Sequence, residues 1–280
     1  ALVLLHTVAT SLSMGTRFGA RVPSLLMSAA GGSVTPGVII GGGRIGNFLY
    51  ESNGKKDILL DSRDAAIPAD SSGPCYVCTR NNDLDAIIEK TPEHRRGDLV
   101  FLQNGMLVDY LDKKGLGDNT QALIYFAVAK KGEAPTDGKT SVNPEGLTAV
   151  MGKWGPDLAA RLSEAALSCH VLERGPWTVA MMEKHIWICA FMAVGASHGG
   201  CTVGQVNTEH NAQVRALIDE LAVAAKYGMP TIDFSPGLGD RLCAYADSVA
   251  HFPTALKEFE WRNGYFTDLS LRAAQEMKVD

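Results

Sequence analysis

Short apolar runs separated by polar turns fill the first part of the chain, and long apolar stretches with helical spacing fill its last part. Brief runs rich in Val, Ile and Leu that end at turn residues are typical of buried strands. The pattern therefore indicates a sheet-forming half followed by a helical half. We predict strands at residues 38–40, 56–60, 74–79, 98–102, 121–128, 141–151 and 169–172.

Apolar residues that recur every three or four positions predict amphipathic helices, and Gly, Pro and Asn mark where these helices stop. The order of elements predicts an α/β fold. A Rossmann-type nucleotide-binding domain at residues 34–174 is followed by an all-helical substrate domain at residues 175–280. We predict helices at residues 84–90 and 156–168, and then at 179–196, 212–226, 241–250 and 254–277.

A glycine fingerprint follows the first predicted strand. Gly41, Gly43 and Gly46 form a G-x-G-x-x-G that leads into helical spacing. In a dinucleotide-binding βαβ unit, the first glycine permits a tight turn, the second lets the backbone approach a pyrophosphate, and the third lets the helix pack closely. A purely structural glycine turn is the alternative. The predicted cofactor-binding residues of this loop are Gly41, Gly42, Gly43, Arg44, Ile45 and Gly46.

Charged residues after the next strands bear on which dinucleotide binds. Asp61 lies about twenty residues after Gly41, the offset at which an acid binds the ribose 2′-hydroxyl of NAD. Arg63 is suited instead to the 2′-phosphate of NADP, and Arg80 adds positive charge nearby. A solvated turn also explains Asp61 and Arg63. We predict NADP, bound as NADPH, with Asp61 as the ribose contact if NAD is the cofactor.

Composition and charge narrow the possible partners. The 280 residues carry a net charge of −5 without a basic block, which argues against nucleic-acid binding. No uninterrupted apolar run approaches the length of a membrane span. Cys75 and Cys78 have CxxC spacing, but residues three apart in a strand face opposite sides. We predict core thiols, no metal site, no nucleic-acid partner and no membrane span.

The first 33 residues differ from the rest of the chain. A short apolar run is followed by Ser, Thr and Arg, and no Asp or Glu precedes Glu51. This composition resembles a targeting segment, and a disordered extension without an address is the alternative. We predict an organellar protein, with a plastid favoured over a mitochondrion, or a cytoplasmic one if residues 1–33 are not a transit peptide.

Two charged residues in the helical half are candidates for chemistry. Lys184 lies on a very apolar helix, on the face that carries Met181, Ile188 and Met192. Loss of hydration there would lower the lysine pKa towards the range of a general acid, whereas a snorkelling lysine is the alternative. Glu258 and Arg262 are four residues apart, and by themselves they indicate a surface salt bridge.

Taken together, these motifs resemble the ketopantoate reductase family of the 6-phosphogluconate dehydrogenase-like superfamily. They occur in the family's order over residues 36–275. The matching segments are the strand and glycines of residues 38–46, Val77–Arg80, Gln103–Met106, Glu183–Lys184, and Glu258 followed by Arg262-Asn263-Gly264.

The resemblance implies a role for each matching residue. Asn104 would contact the nicotinamide and the substrate, Lys184 would be the general acid, and Glu258 would bind the substrate hydroxyl. Arg80 stands where the family often has a lysine that contacts the cofactor. Ser248 lies near the place of a serine that binds the substrate carboxylate.

The chain departs from the family one and two turns after Lys184. Ile188 and Met192 stand where the family usually has asparagines that hold the keto acid. These two predicted substrate-binding positions would form an apolar wall, which poorly complements a small hydroxylated keto acid.

We therefore predict an NADP-dependent oxidoreductase that reduces a ketone or a 2-keto acid by hydride transfer, with Lys184 as general acid. A catalytically silent NADP-binding scaffold, or a redox-responsive interaction protein, is the alternative. A third alternative is a relative of the β-hydroxyacid dehydrogenases, which share a catalytic lysine on a helix. The expected partners are a small-molecule substrate and a second copy of the chain, as a homodimer.

Overall fold

The computed structural model describes residues 34–61 and 66–276. The predicted targeting segment at residues 1–33 and the candidate Arg63 lie outside the described residues. The chain divides into two compact units, of which the first ends at Ala180 and the second begins at Met181. The division falls within one long helix, Arg174–Ser197.

The first unit is built on a seven-stranded sheet with the order β2-β1-β3-β4-β5-β6-β7. Neighbouring strands are parallel except for the antiparallel pair β5 and β6. The predicted α/β class, with a Rossmann-type sheet domain before a helical part, is confirmed. The strands are β1 Val38–Ile40, β2 Ile58–Leu60, β3 Cys75–Val77, β4 Leu99–Phe101, β5 Thr120–Leu123, β6 Ala149–Met151 and β7 His170–Val171.

Helices of the first unit cover this sheet because their apolar faces match its buried strands. Helix α1 packs on β1, and α4 packs on α1 and on β5 to β7. The helices are α1 Arg44–Ser52, α2 Leu84–Lys90, α3 Val108–Lys113 and α4 Gly155–Glu164. The core between the layers contains Ile39, Leu49, Tyr76, Val100, Val150, Leu158 and Leu162.

A buried ion pair fastens the amino ends of β1 and β2 to α4. Arg161 is fully buried, and its Nη1 lies 2.6 Å from Oδ2 of Asp57. The same guanidinium donates to the carbonyl oxygens of Leu49 and Thr35 and stacks over the ring of Tyr76. Asp57 in turn accepts a hydrogen bond from the backbone N–H of Gly37. The buried charges of Arg161 and Asp57 therefore compensate each other, which offsets the cost of removing them from water.

The second unit is helical. Its helices are α5 Arg174–Ser197, which begins in the first unit, α6 Val203–Glu209, α7 Asn211–Gly228, α8 Leu238–Ser248 and α9 Asn263–Glu276. By length and composition alone α5 could cross a membrane, but 67% of its most apolar window is buried inside the protein. Burial of this kind is the pattern of a core helix.

Most predicted strands are one to three residues longer than the observed ones, and three predicted elements differ by more. Strands β5 and β6 occupy only parts of the predicted 121–128 and 141–151, because the chain between them leaves the sheet and forms a separate bridge from Ala127 to Thr136. The predicted helix at 254–277 begins only at Asn263. Thr254 instead donates through its backbone N–H and its hydroxyl to the carbonyl oxygen of Cys201, which holds this segment extended.

Candidate functional site

The glycine loop connects β1 to α1 in a conformation that these glycines make possible. Gly41 has a φ of 99°, which strains any residue with a side chain. A Cβ at Gly46 would overlap the carbonyl oxygen of Gly41, so this position needs a glycine for the helix to approach the strand. The predicted roles of Gly41 and Gly46 in the turn therefore agree with the geometry.

The start of α1 is suited to an anion. Gly43 is the N-cap, and among the described residues no side chain caps this helix end. A Cβ at Gly43 would find no described atom within 4 Å, so open space lies above the loop. Unpaired N–H groups and the helix dipole at such an end favour phosphate. The loop thus fits the pyrophosphate of a dinucleotide.

Arg44 and Ile45 serve the loop in a different way from its glycines. Nη1 of Arg44 donates to the carbonyl oxygens of Val128 and Ala129, at 3.2 and 3.3 Å. Ile45 packs against the sheet core. These contacts anchor the first turn of α1.

Other candidates lie at the same edge of the sheet. Asp61 follows β2 directly, and its carboxylate lies so close to Gly42 that a Cβ there would overlap it. Arg80, an exposed residue, comes shortly after β3, and Asn104 comes shortly after β4. The carboxyl ends of parallel strands are where open α/β sheets bind ligands. The fold therefore brings the glycine loop, Asp61, Arg80 and Asn104 to one edge.

Two further polar residues shape this edge, and sequence reasoning did not give them a role. Gln103 donates through Nε2 to the carbonyl oxygens of Val77 and Thr79, at 2.9 and 3.2 Å. Asn81 donates through Nδ2 to the carbonyl oxygen of Asn104 at 2.8 Å, and Asn104 is an exposed residue. The only signal for both is that polar residues follow apolar strands.

Lys184 is the most unusual charged residue of the second unit. Lys184 is only 6% exposed. On the same helix face Met181 and Ile188 are buried as well, and Met192 is partly buried. Burial first, and then the positive charge of Arg262, lower the lysine pKa to about 7. A lysine with this pKa can both hold and release a proton near neutral pH.

Glu258 adopts a left-handed backbone conformation, with a φ of 49°, directly before a 3₁₀ turn at Phe259–Trp261. A non-glycine residue in this region is strained, and such strain persists only where surrounding contacts impose it. Nη2 of Arg262 donates to Oε2 of Glu258 at 2.7 Å, and both side chains are largely buried. The salt bridge that the sequence predicts is therefore present, but its position at the surface and within the last helix is wrong, because both side chains are largely buried and α9 starts at Asn263.

The segment around Arg262 is tied to α5. Nδ2 of Asn263 donates to the carbonyl oxygen of Cys189 at 3.1 Å. His185 stacks on Phe266, and its burial and the charge of Arg262 lower its pKa to about 3, so that it is neutral. These contacts place the Glu258–Arg262 pair beside the part of α5 that carries Lys184.

Ser248 is the last residue of α8. It is exposed, and its hydroxyl donates to the carbonyl oxygen of Tyr245 at 2.7 Å. This bond is local to the helix and gives no support to a role in binding the substrate carboxylate. Within the described ranges, no group of three or more His, Cys, Asp or Glu side chains could hold a metal ion.

Comparison with known proteins gives likeness of structure only. No protein-family model matches the chain, and no curated protein sequence matches it. Dimeric ketopantoate reductase from Staphylococcus aureus is 16% identical with a TM-score of 0.61, over 86% of this chain and 93% of that one. A ketopantoate reductase from Ralstonia eutropha JMP134 has the same identity and TM-score, over 85% and 92%.

D-mandelate dehydrogenase, solved with NADH and anilino(oxo)acetate, is also similar. It is 13% identical with a TM-score of 0.59, over 85% of this chain and 93% of that one. Identities this low establish the fold and leave the activity open. The resemblance predicted from the sequence is confirmed at this level: the chain has the fold of the ketopantoate reductases.

Proposed function

We propose that this protein is a nicotinamide-dependent oxidoreductase that reduces a ketone or a 2-keto acid to the alcohol. The observation that carries the proposal is the buried Lys184, whose pKa is lowered to about 7, beside the strained Glu258. The glycine loop supports it, because its open N-terminal helix end fits a dinucleotide. The similar structures are oxidoreductases by name, which agrees with this assignment.

The proposed roles follow from the chemistry of each side chain. When bound, the nicotinamide supplies the hydride. Lys184, in its protonated form, donates a proton to the carbonyl oxygen that becomes the alcohol. Glu258 accepts a hydrogen bond from a substrate hydroxyl, and Arg262 holds its carboxylate in place. Asn104, exposed at the carboxyl edge of the sheet, orients the nicotinamide.

The side chains near Lys184 also bear on the substrate. Ile188 is buried and Met192 partly buried on the same helix face, so these two side chains offer apolar contact and no hydrogen-bond partner. We propose a 2-keto acid with an apolar substituent as the preferred substrate. The named dimeric relative makes a homodimer our proposal for the assembly.

The choice of cofactor form is a separate proposal. The sequence favours NADPH through Arg63, which lies outside the described residues, and Arg80, which is exposed. D-mandelate dehydrogenase, one of the similar proteins, was solved with NADH. The glycine loop itself is compatible with either form.

A cofactor-binding protein without activity is the second candidate. It is favoured by Ile188 and Met192, which remove the polar partners that the family resemblance implies. Oxidation of NADPH and of NADH by the full chain, measured with a panel of 2-keto acids and ketones, decides between the two. Turnover that is lost in Lys184→Met supports the reductase. Tight cofactor binding without turnover of any panel member supports the silent protein.

A further inference from the structure

We infer that Arg262 binds the carboxylate of a 2-keto acid substrate and makes the site selective for acids over neutral ketones. The inference rests on the proposed reductase function, and it names the group that recognises the substrate class. It concerns only the second unit, in which Arg262, Glu258 and Lys184 all lie.

Arg262 is held beside the stretch of α5 that carries Lys184. Nδ2 of the next residue, Asn263, donates to the carbonyl oxygen of Cys189 at 3.1 Å, which ties the start of α9 to α5. After burial, the positive charge of Arg262 is the cause that lowers the pKa of Lys184. The interaction of two charges weakens with distance, so the guanidinium lies near the proposed proton donor.

The guanidinium of Arg262 keeps donors for a second acid. Nη2 donates to Oε2 of Glu258 at 2.7 Å, whereas Nε is buried and meets no acceptor among the described residues. A buried donor without an acceptor is costly and calls for an explanation. The side chain is 15% exposed, so it is not sealed from solvent. A bound carboxylate would supply the missing acceptor, and the planar, permanently charged fork of an arginine matches that group.

Two other polar groups that might bind the carboxylate already have acceptors within the protein. The hydroxyl of Ser248 donates to the carbonyl oxygen of Tyr245 at 2.7 Å. Arg241, which also contacts α5, directs Nη2 to Oε1 of Glu183 at 2.6 Å. Arg262 is therefore the better candidate of the three.

A carboxylate on Arg262 serves both orientation and charge. In a 2-keto acid the carboxylate carbon is bonded directly to the carbonyl carbon, so holding one group restricts the position of the other. The negative charge of the substrate also favours the protonated form of Lys184, which reduction needs. A neutral ketone provides neither effect.

The test compares phenylglyoxylate with phenylglyoxamide, its neutral amide of nearly the same shape, in reduction by the full chain with NADH and with NADPH. The wild type is expected to have at least a tenfold higher kcat/KM for the acid. In Arg262→Gln this ratio is expected to fall at least tenfold, mainly through a higher KM for the acid. Lys257→Gln removes an exposed cation from the same segment and is expected to leave the ratio unchanged.

A role of Arg262 limited to holding Glu258 would lower the rates with the acid and with the amide alike. An unchanged ratio in Arg262→Gln would therefore overturn the inference and leave the reductase proposal standing. Equal use of the acid and the amide by the wild type would have the same consequence. Because the wild-type ratio needs no variant, a folding defect in Arg262→Gln does not weaken the test. Absence of turnover with both compounds would contradict the proposed function and remove the inference with it.

Discussion

At the scale of single residues, Lys184 owes its chemistry to what surrounds it. A lysine exposed to water has a pKa near 10.5, and burial with Arg262 nearby lowers this value to about 7. If Lys184 is the general acid, Lys184→Met is expected to lower kcat by about 10²–10⁴-fold, the usual share of positioned acid catalysis. Steady-state kinetics in the direction of reduction measures this loss, and cofactor binding is expected to stay at the wild-type level.

The pH dependence of the wild type has a definite sign. Reduction needs the protonated lysine, so the rate is expected to fall as the pH rises through about 7 and the proton is lost. Lys184→Met is expected to lack this decrease. Because methionine matches the apolar helix face in length and character, the variant should remain folded. Near-native turnover by the folded variant would exclude Lys184 from the reaction.

The sequence predicted some of these residues better than others. Lys184 is recognisable because three apolar residues share its helix face, and that pattern is local. Glu258 is not, because the turn that strains it depends on contacts of Thr254 with Cys201 and of Asn263 with Cys189, each more than fifty residues away in sequence. The four-residue spacing of Glu258 and Arg262 predicts an ion pair within a helix. The ion pair is present, but Glu258 has a left-handed backbone and lies before the helix.

At the scale of elements, the glycine loop between β1 and α1 has one position, Gly43, that is expected to affect dinucleotide binding without affecting the fold. Gly43→Val is expected to abolish dinucleotide binding and to leave the fold intact, because its side chain would project into the open space above the loop. Titration with NADH and NADPH, together with circular dichroism, measures both effects. A folded Gly43→Val protein with near-native affinity would mean that the loop is only a structural turn.

Gly46→Val is the matched control for this experiment. Its side chain would overlap the carbonyl oxygen of Gly41, so it is expected to lower the thermal midpoint as well as cofactor binding. Of the two variants, only Gly43→Val is therefore expected to lose cofactor binding without losing stability. The comparison separates a blocked ligand path from a displaced helix.

The buried ion pair joins β1, β2 and α4 at the amino ends of the strands. Arg161→Met is expected to lower the free energy of unfolding by about 3–5 kcal/mol, because Asp57 would remain buried without its cation. Urea denaturation measures the change. The double variant Arg161→Met/Asp57→Asn is expected to recover part of it, and a single variant as stable as the wild type would contradict this role.

At the scale of the whole molecule, the order of strands and helices could be predicted because each element buries a continuous apolar face. The ends of the elements were harder to predict from the sequence. Strand β5, for example, ends just before Tyr125, whose backbone N–H donates to the hydroxyl oxygen of Thr148, 23 residues away. The polar support at the sheet edge, Gln103 and Asn81, depends on which strands are neighbours. Sequence periodicity does not contain that information.

The second unit gives a prediction about the substrate. A 2-keto acid with an apolar substituent, such as phenylglyoxylate, is expected to have at least a tenfold higher kcat/KM than ketopantoate, because Ile188 and Met192 offer only apolar contact. Ile188→Asn/Met192→Asn is expected to shift this ratio towards ketopantoate. A wild type that prefers ketopantoate would show that these two side chains do not select the substrate.

The sheet of the first unit carries its ion pair and its glycine loop at opposite ends of the same three-residue strands. Three residues of strand span about 10 Å, a separation at which substitutions usually act independently. Changes at Arg161 and changes at Gly43 are therefore expected to be additive. A protein with this sheet can be made more or less stable at one end of its strands while the affinity for its cofactor, set at the other end, stays the same.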